Sequence, residues 1–352
     1  MLAFQKLICG QKVSSVPLKE PSWWYGDNNG IAERAFLPIA SIYGYISQHR
    51  MLRPPRKTSS LPVICVGNFT AGGTGKTPLA IVLADMVRQA GGQPVFLSRG
   101  HGGDLKGPHL ISLQTDNAQN AGDEPLLLAN HATTVISRDR VLGAELIERD
   151  GLGSVIIMDD GLQNPGLYKN LAIVVVDGRR GIGNGRTVPA GPLRAPMEAQ
   201  LSVADALVIY GKPSKDLKTM LTPLRQPIFN ATVKPFGDLT WITVKPLLAF
   251  AGIGNPQRFY ALLQKLGGQV VETRSFADHH PYTADDAKGL LGHAAHLGMQ
   301  LVTTEKDFVR LAPQQSEAHQ RLREATRVLP ICTHFSDTDA ATLQGLIDRL
   351  LD

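Results

Sequence analysis

VGNFTAGGTGKTP, residues 66–78, is the stretch on which the fold turns. Val66 closes a short apolar β-type run, 61–66 (LPVICV). Residues 77–90 (TPLAIVLADMVRQA) then carry helical spacing, with Pro78 tolerable in the first turn and Gly91-Gly92 as a stop. A glycine-rich loop between a strand and a helix is the setting of a phosphate loop. Glycines let backbone N–H groups curl around phosphate oxygens, and the helix N-terminus adds the positive end of its dipole. Thr70, Ala71, Gly72, Gly73, Thr74, Gly75, Lys76 and Thr77 would line such a site. Lys76 would reach the outer phosphates of ATP, and Thr77 would offer its hydroxyl to Mg2+. The strict G-x-x-x-x-G-K-[ST] pattern asks for glycine where Thr70 stands, so the match is to the GGxGKT form. A plain glycine-rich turn would need neither the Lys-Thr pair nor the flanking strand and helix.

Working outward, the pattern repeats as strand, loop and helix. PVFL (94–97), TTVIS (133–137), VIIM (155–158), AIVVV (172–176) and ALVIY (206–210) are apolar runs, with helical segments at 124–131 and 139–149 between them. Continuous apolar strands alternating with helices predict a parallel sheet covered on both faces, with ligands at the carboxyl ends of its strands. Gly67, Ser98, Asp159 and Asp177 all follow strand ends. VIIMDDGLQ (155–163) therefore sets Asp159 and Asp160 in a Walker-B position, where a carboxylate holds the Mg2+ shell. Two adjacent carboxylates repel, and a cation relieves them. A solvated Asp-Gly turn is the competing reading.

A kinase also needs a base for the attacking hydroxyl. Asp123 in AGDEP is one candidate, although an aspartate opening a helix is equally an N-cap. SFADHHP (275–281) offers Asp278, His279 and His280, which do not complete a zinc site by themselves. Arg99 follows a strand end and would reach a phosphate, or be a plain surface arginine.

The 352 residues suit roughly two domains. With 43% hydrophobic and 19% charged residues the chain is not intrinsically disordered. The net charge of +5 is too small to indicate a partner. Cys9, Cys65 and Cys332 make neither a disulfide framework nor a cysteine-rich zinc site. MLAFQKLICG lacks the regions of a signal peptide. Trp23, Trp24 and Tyr25 precede an uncharged run, 35–48, which His49, Arg50, Arg53, Arg56 and Lys57 follow. The run is too short and too polar to span a bilayer. It reads as an interfacial helix with aromatics at headgroup level and a basic flank, or as a helix simply packed on the main domain. The expected fold is α/β: a P-loop NTPase-like parallel sheet core (59–235), a smaller α/β domain (236–335), an N-terminal membrane-associating segment (1–58) and a C-terminal helix (336–352). Residues 211–238, rich in Pro, Lys and Thr, read as containing a linker.

These segments together resemble the tetraacyldisaccharide 4′-kinase family of lipid A assembly. The matching pieces are VGNFTAGGTGKTP, FLSRGHGG, AGDEPLLLA, ISRDR, VIIMDDGLQN, VVDGRRGIGNGRTVPAGPLR, FAGIGNPQRF, FADHHPY and LVTTEKDFVRL, in order from about residue 62 to 311. The resemblance implies ATP-dependent phosphorylation of the 4′-hydroxyl of a tetraacylated glucosamine disaccharide 1-phosphate, at the cytoplasmic face of a bacterial inner membrane. It implies an active site between the two domains. The family's catalytic aspartate falls on Asp123, its partner histidine on His279, its P-loop pair on Lys76 and Thr77, and its metal-site acids on Asp159 and Asp160. Arg99 and Gln163 stand as candidates on the substrate side. Domain closure would then assemble Asp123 with His279. The family commonly reads PLREP, whereas Ala195 occupies the glutamate position here, with Glu198 close by. His101 stands where tyrosine is usual.

A membrane-bound P-loop ATPase switch would share GGxGKT but lack an acceptor base. A GTPase would carry a guanine reader, which Thr304-Glu305-Lys306-Asp307 resembles only superficially. Nucleic-acid binding has neither a zinc finger, an aromatic RNP strand nor a dense basic stripe to support it.

Overall fold

The computed structural model describes residues 20–26, 30–73, 75–311 and 316–352, so Thr74 and Cys9 lie outside the described residues. Its strands are β1 Val63–Asn68, β2 Pro94–Ser98, β3 His109–Leu110, β4 Thr134–Ile136, β5 Val155–Asp159, β6 Leu171–Asp177 and β7 Ala206–Tyr210. They continue as β8 Ile228–Pro235, β9 Leu247–Ala251, β10 Val270–Ser275, β11 Gln300–Thr304, β12 Thr326–Leu329 and β13 Ile331–Phe335. Nine of them form one sheet in the order β13-β8-β7-β6-β1-β5-β2-β4-β3, parallel except for the antiparallel pairs β13–β8 and β3–β4. The second sheet, β10-β9-β11-β12, is parallel throughout.

Strand β1 is buried along its whole length and alternates faces. Ile64 and Val66 share one core with Leu79 and Leu83 of the helix Lys76–Gln89 and with Leu343 and Ile347 of the C-terminal helix Asp337–Leu351. Val63 and Cys65 share the opposite core with Ala144 and Ile147 of the helix Arg140–Arg149. Each fully buried aliphatic side chain contributes about 1.5–3 kcal/mol, so this strand is a firmly held platform for a loop at its carboxyl end.

Three expectations change. Residues 211–238 are not mainly a linker: they hold the helix Lys215–Leu221 and the whole of β8. In β8 only Phe229 and Ala231 are buried, and Asn230, Thr232 and Lys234 are exposed polar residues, which is why it read as loop. The smaller unit also ends earlier than residue 335. Strand β13 crosses back to pair with β8, and Pro330 alone separates it from β12 of the other sheet. A proline has no N–H to continue a ladder, so two strands that look continuous in sequence belong to different sheets.

The third change concerns the aromatic cluster. Trp24 is buried with its indole N–H donated to the Pro189 carbonyl, Trp23 stacks on Phe36, and Tyr25 lies beneath the Arg180 guanidinium. These rings pack on the protein. The N-terminal helix Ile31–Met51 has a packed side and an open side. One side docks through Ala40 and Gly44 against Thr187 and through Met51 against Ala195 and Ala199. Ile39, Ile42, Tyr43, Tyr45 and Ile46 stay exposed. No helix among the described residues is long and apolar enough to cross a membrane.

Candidate active site

The phosphate loop leaves β1 at Asn68 and enters its helix at Lys76. Gly72 (φ 100°) and Gly75 (φ 90°) sit in backbone conformations that L side chains rarely adopt, and a Cβ on Gly75 would meet the Tyr210 ring at 3.3 Å. The first part of the loop is braced by the protein itself. Asn68 donates its amide to the Thr70 carbonyl (2.7 Å), Ala71 N–H donates to the Pro192 carbonyl (2.8 Å), and Arg194 Nε donates to the Thr70 carbonyl (3.1 Å). Thr70 and Ala71 therefore hold the loop's shape. The amides at the start of the helix, Lys76 and Thr77, have no acceptor within the helix and are so available to an anion.

Strand β5 lies beside β1, with Val66 opposite Asp159. This pairing brings the acidic pair to the phosphate loop. Lys76 Nζ lies 3.7 Å from Asp160 Oδ1, and Arg194 Nη1 donates to the same oxygen at 2.7 Å. Asp160 has φ 52°, an uncommon value for a non-glycine residue, and such strain is expected where function fixes a side chain. Burial pushes Asp159's carboxyl well above its ordinary value, and the charges of Glu124 and Asp160 add to this. Burial acts the same way on Asp160, but Lys76 and Arg194 outweigh it and hold that carboxyl down. Asp159 Oδ1 is buried and has no hydrogen-bond partner among the described residues. A cation beside it would satisfy that oxygen and relieve the repulsion, so the pair fits a Mg2+ shell. Among the described residues no third His, Cys, Asp or Glu joins them. Ala195 is fully buried, and Glu198 faces a separate pocket of about 420 Å3 beneath the N-terminal helix, lined in part by Leu37, Ser41 and Met197.

The acceptor-side candidates meet across the two units. Gly122, not Asp123, occupies the N-cap of the helix Asp123–Ala129, and no side chain caps it. Asp123 is the first helical residue and is 4% exposed. Its Oδ1 accepts the Glu124 N–H at 3.0 Å. Its Oδ2 takes His279 Nδ1 at 3.0 Å, Arg310 Nε at 2.9 Å and Arg310 Nη2, with Lys306 Nζ 3.8 Å away. Burial opposes ionisation of Asp123, but His279, Lys306 and Arg310 more than offset it and hold the carboxyl far below the usual range. His279 is half-exposed and has φ 60°, and its backbone N–H donates to the Gly252 carbonyl. Lys306 bridges both partners, at 3.3 Å from Glu124 Oε1 and 3.4 Å from His279 Nε2.

Other candidates land elsewhere. Asp278 lies 3.8 Å from His279 Nε2, whereas His280 turns away to Asp286 at 3.0 Å. Arg99 is exposed just past β2. Gln163 donates its amide to the Asn68 carbonyl and to Gln200 Oε1, both at 2.8 Å, and so supports the end of β1. Sequence reasoning did not single out Arg310, although it lies in the quoted stretch LVTTEKDFVRL. Nor did it single out Arg194, which joins Thr70 to Asp160.

Comparison with known proteins shows the family of the chain. A family model described as tetraacyldisaccharide-1-P 4′-kinase matches residues 32–351. A tetraacyldisaccharide 4′-kinase of Bradyrhizobium is 43% identical over 95% of this chain and 96% of its own length. One from Brucella ovis is 44% identical over 94% and 95% respectively. The crystal structure of LpxK from Aquifex aeolicus in complex with ATP superposes with a TM-score of 0.72, at 26% identity, covering 91% of this chain and 99% of that one. On these matches, the chain belongs to the tetraacyldisaccharide-1-P 4′-kinase family.

Proposed function

We propose that this kinase transfers the γ-phosphoryl group of ATP to the 4′-hydroxyl of a tetraacylated glucosamine disaccharide 1-phosphate, a step of lipid A biosynthesis. The observation that carries the reading is the pair Asp123–His279, joined at 3.0 Å across the two units and linked through Glu124 to the field around Asp159. An ATPase switch has no use for such an acceptor-side pair. Lys76 and the amides of the phosphate loop stabilise charge on the phosphates. Asp159, Asp160 and the Thr77 hydroxyl would hold Mg2+, which supplies charge neutralisation on the transferring group. Asp123 accepts or orients the hydroxyl proton, and His279 holds that carboxylate in place. Phosphoryl transfer through a loose transition state needs little proton removal at its peak, so a strongly acidic carboxylate suffices.

The enzyme works at the cytoplasmic face of the inner membrane, in peripheral contact with the leaflet. The support is the outward face of the N-terminal helix. Ile39, Ile42, Tyr43, Tyr45 and Ile46 are exposed there, and Arg50, Arg53 and Arg56 follow. Incubation with Mg-ATP and a disaccharide lipid A precursor in mixed micelles tests the activity. Phosphate incorporated into lipid, and sharply reduced by Asp123→Ala, is the expected result. Lipid-independent ATP hydrolysis without incorporation would move the assignment to an ATPase switch.

A further inference from the structure

Arg310 reaches Asp123 from the smaller unit and is 3% exposed. Its guanidinium has two differently committed edges. Nη1 donates to the Gly252 carbonyl (2.6 Å) and to Asp307 Oδ1 (2.8 Å), both within the smaller unit. Nε and Nη2 both face Asp123 Oδ2 of the large unit. Behind it, Asp307 is fully buried and fixed by the Gly252 N–H (2.8 Å), the Tyr282 hydroxyl (2.9 Å) and the Thr304 hydroxyl (2.6 Å). The arginine is thus an arm whose root is locked by its own unit and whose free edge grips the other. The remaining contacts to Asp123 are weaker holds. His279 is half-exposed, and Lys306 at 3.8 Å is beyond hydrogen-bond reach.

We propose that Arg310 is a positioning residue for the kinase reaction: it fixes Asp123 against His279 from the smaller unit, so that the proton-accepting pair is set only while the two units are joined. This rests on the acceptor-side reading above. The charged groups that face Asp123 are Glu124 on its own helix and His279, Lys306 and Arg310 on the smaller unit, with Asp307 behind the arginine.

The test compares Arg310→Met and Arg310→Lys with the unaltered chain in the mixed-micelle assay at neutral pH, with circular dichroism and melting as fold checks. Arg310→Met is expected to lower kcat about 10–100-fold and to leave the KM for ATP and the KM for lipid each within about twofold. Arg310→Lys keeps the charge but not the two-pronged grip. It should recover part of the lost rate while kcat stays reduced. A folded Arg310→Met variant whose kcat stays within threefold of the unaltered chain, or an Arg310→Lys variant with unaltered kcat, would overturn the inference. If Arg310→Met does not fold, the Arg310→Lys rate decides alone. An unaltered chain that phosphorylates no lipid would instead overturn the kinase reading, and the inference with it.

Discussion

Replacing Asp123 by asparagine separates the chemistry of the site from its stability. The amide has nearly the same shape, so nothing is overpacked. It removes the charge that Arg310, His279 and Lys306 converge on. Asp123 and the Arg310 side chain are only 4% and 3% exposed, so solvent does little to screen the loss. Breaking a buried pair costs about 3–5 kcal/mol. The lower end applies here, because Arg310 keeps Asp307 and the Gly252 carbonyl. A domain stable by 5–15 kcal/mol survives a loss of about 3 kcal/mol with at most a few per cent unfolded. Unfolding therefore cannot account for more than a trivial drop in rate. Loss of a general base lowers turnover about 10²–10⁴-fold, or roughly 3–5 kcal/mol on the barrier. The assay is phosphate incorporation into lipid, with urea denaturation in parallel. Turnover within threefold of the unaltered enzyme, in a folded variant, would refute the role given to Asp123.

Further outcomes follow from other parts of the fold. Lys76→Ala should lower turnover about 10³-fold and raise the KM for ATP, measured under saturating lipid. Glu148 is held by Lys57, Ser59 and the Ser60 N–H. Burial opposes its ionisation but these partners prevail, drawing its pKa from 4.5 to about 2. Its stabilising effect is therefore present above about pH 4.5 and lost as pH falls towards 2. Glu148→Gln should cost on the order of 1 kcal/mol at pH 7 by urea denaturation and leave turnover unchanged. In Gly44→Val the new Cβ would lie 3.2 Å from Thr187 Oγ1 and 3.6 Å from Pro196, so the N-terminal helix should lift. The KM for lipid should then rise more than that for ATP, and equal changes would count against a lipid role for this helix. Ala195→Glu should destabilise by about 2 kcal/mol or more in a thermal melt, because the site is sealed.

What could be read from the sequence was what depends on near neighbours along the chain. The phosphate loop needs only a strand, glycines and Lys-Thr in succession, and β1 through Lys76 stands as the spacing predicts. Asp159 ends β5 for the same reason, since a continuous apolar run reports its own end. Asp123 was different. Local rules made it equally an N-cap, and only the folded chain shows Gly122 taking the cap and the carboxylate turning across to the other unit. Arg310 left still less signal. Three residues after Asp307 it reads as an ordinary exposed i,i+3 pair, and its burial depends on how the two units meet. The aromatic residues 23–25 misled in the opposite direction. Their composition suits a membrane interface equally well, but their partners are Pro189, Phe36 and Arg180, remote in sequence or unpredictable from it.

Ala195 shows why the departure from the family's PLREP pattern does not dismantle the site. The residues just before this position do two jobs. Pro192 and Arg194 brace the phosphate loop through Ala71 and Thr70, and Arg194 also reaches Asp160. Ala195 itself packs with Met51 of the N-terminal helix and Ala199, while its carbonyl takes the Gln200 amide at 2.7 Å. A glutamate could stay here only by burying a charge beneath that helix or by displacing Met51, and either would loosen the helix that the lipid reading depends on. An alanine keeps the dock closed and leaves the acidic edge with two carboxylates, Asp159 and Asp160, of which one is already balanced by Arg194 and Lys76. The Asp159 oxygen that has no partner among the described residues is then open to a cation. Asp159→Asn should for that reason raise the Mg2+ concentration needed for half-maximal turnover more than Asp160→Asn does, and titration of Mg2+ against turnover in the two variants would reveal the opposite order if Asp160 were the principal ligand.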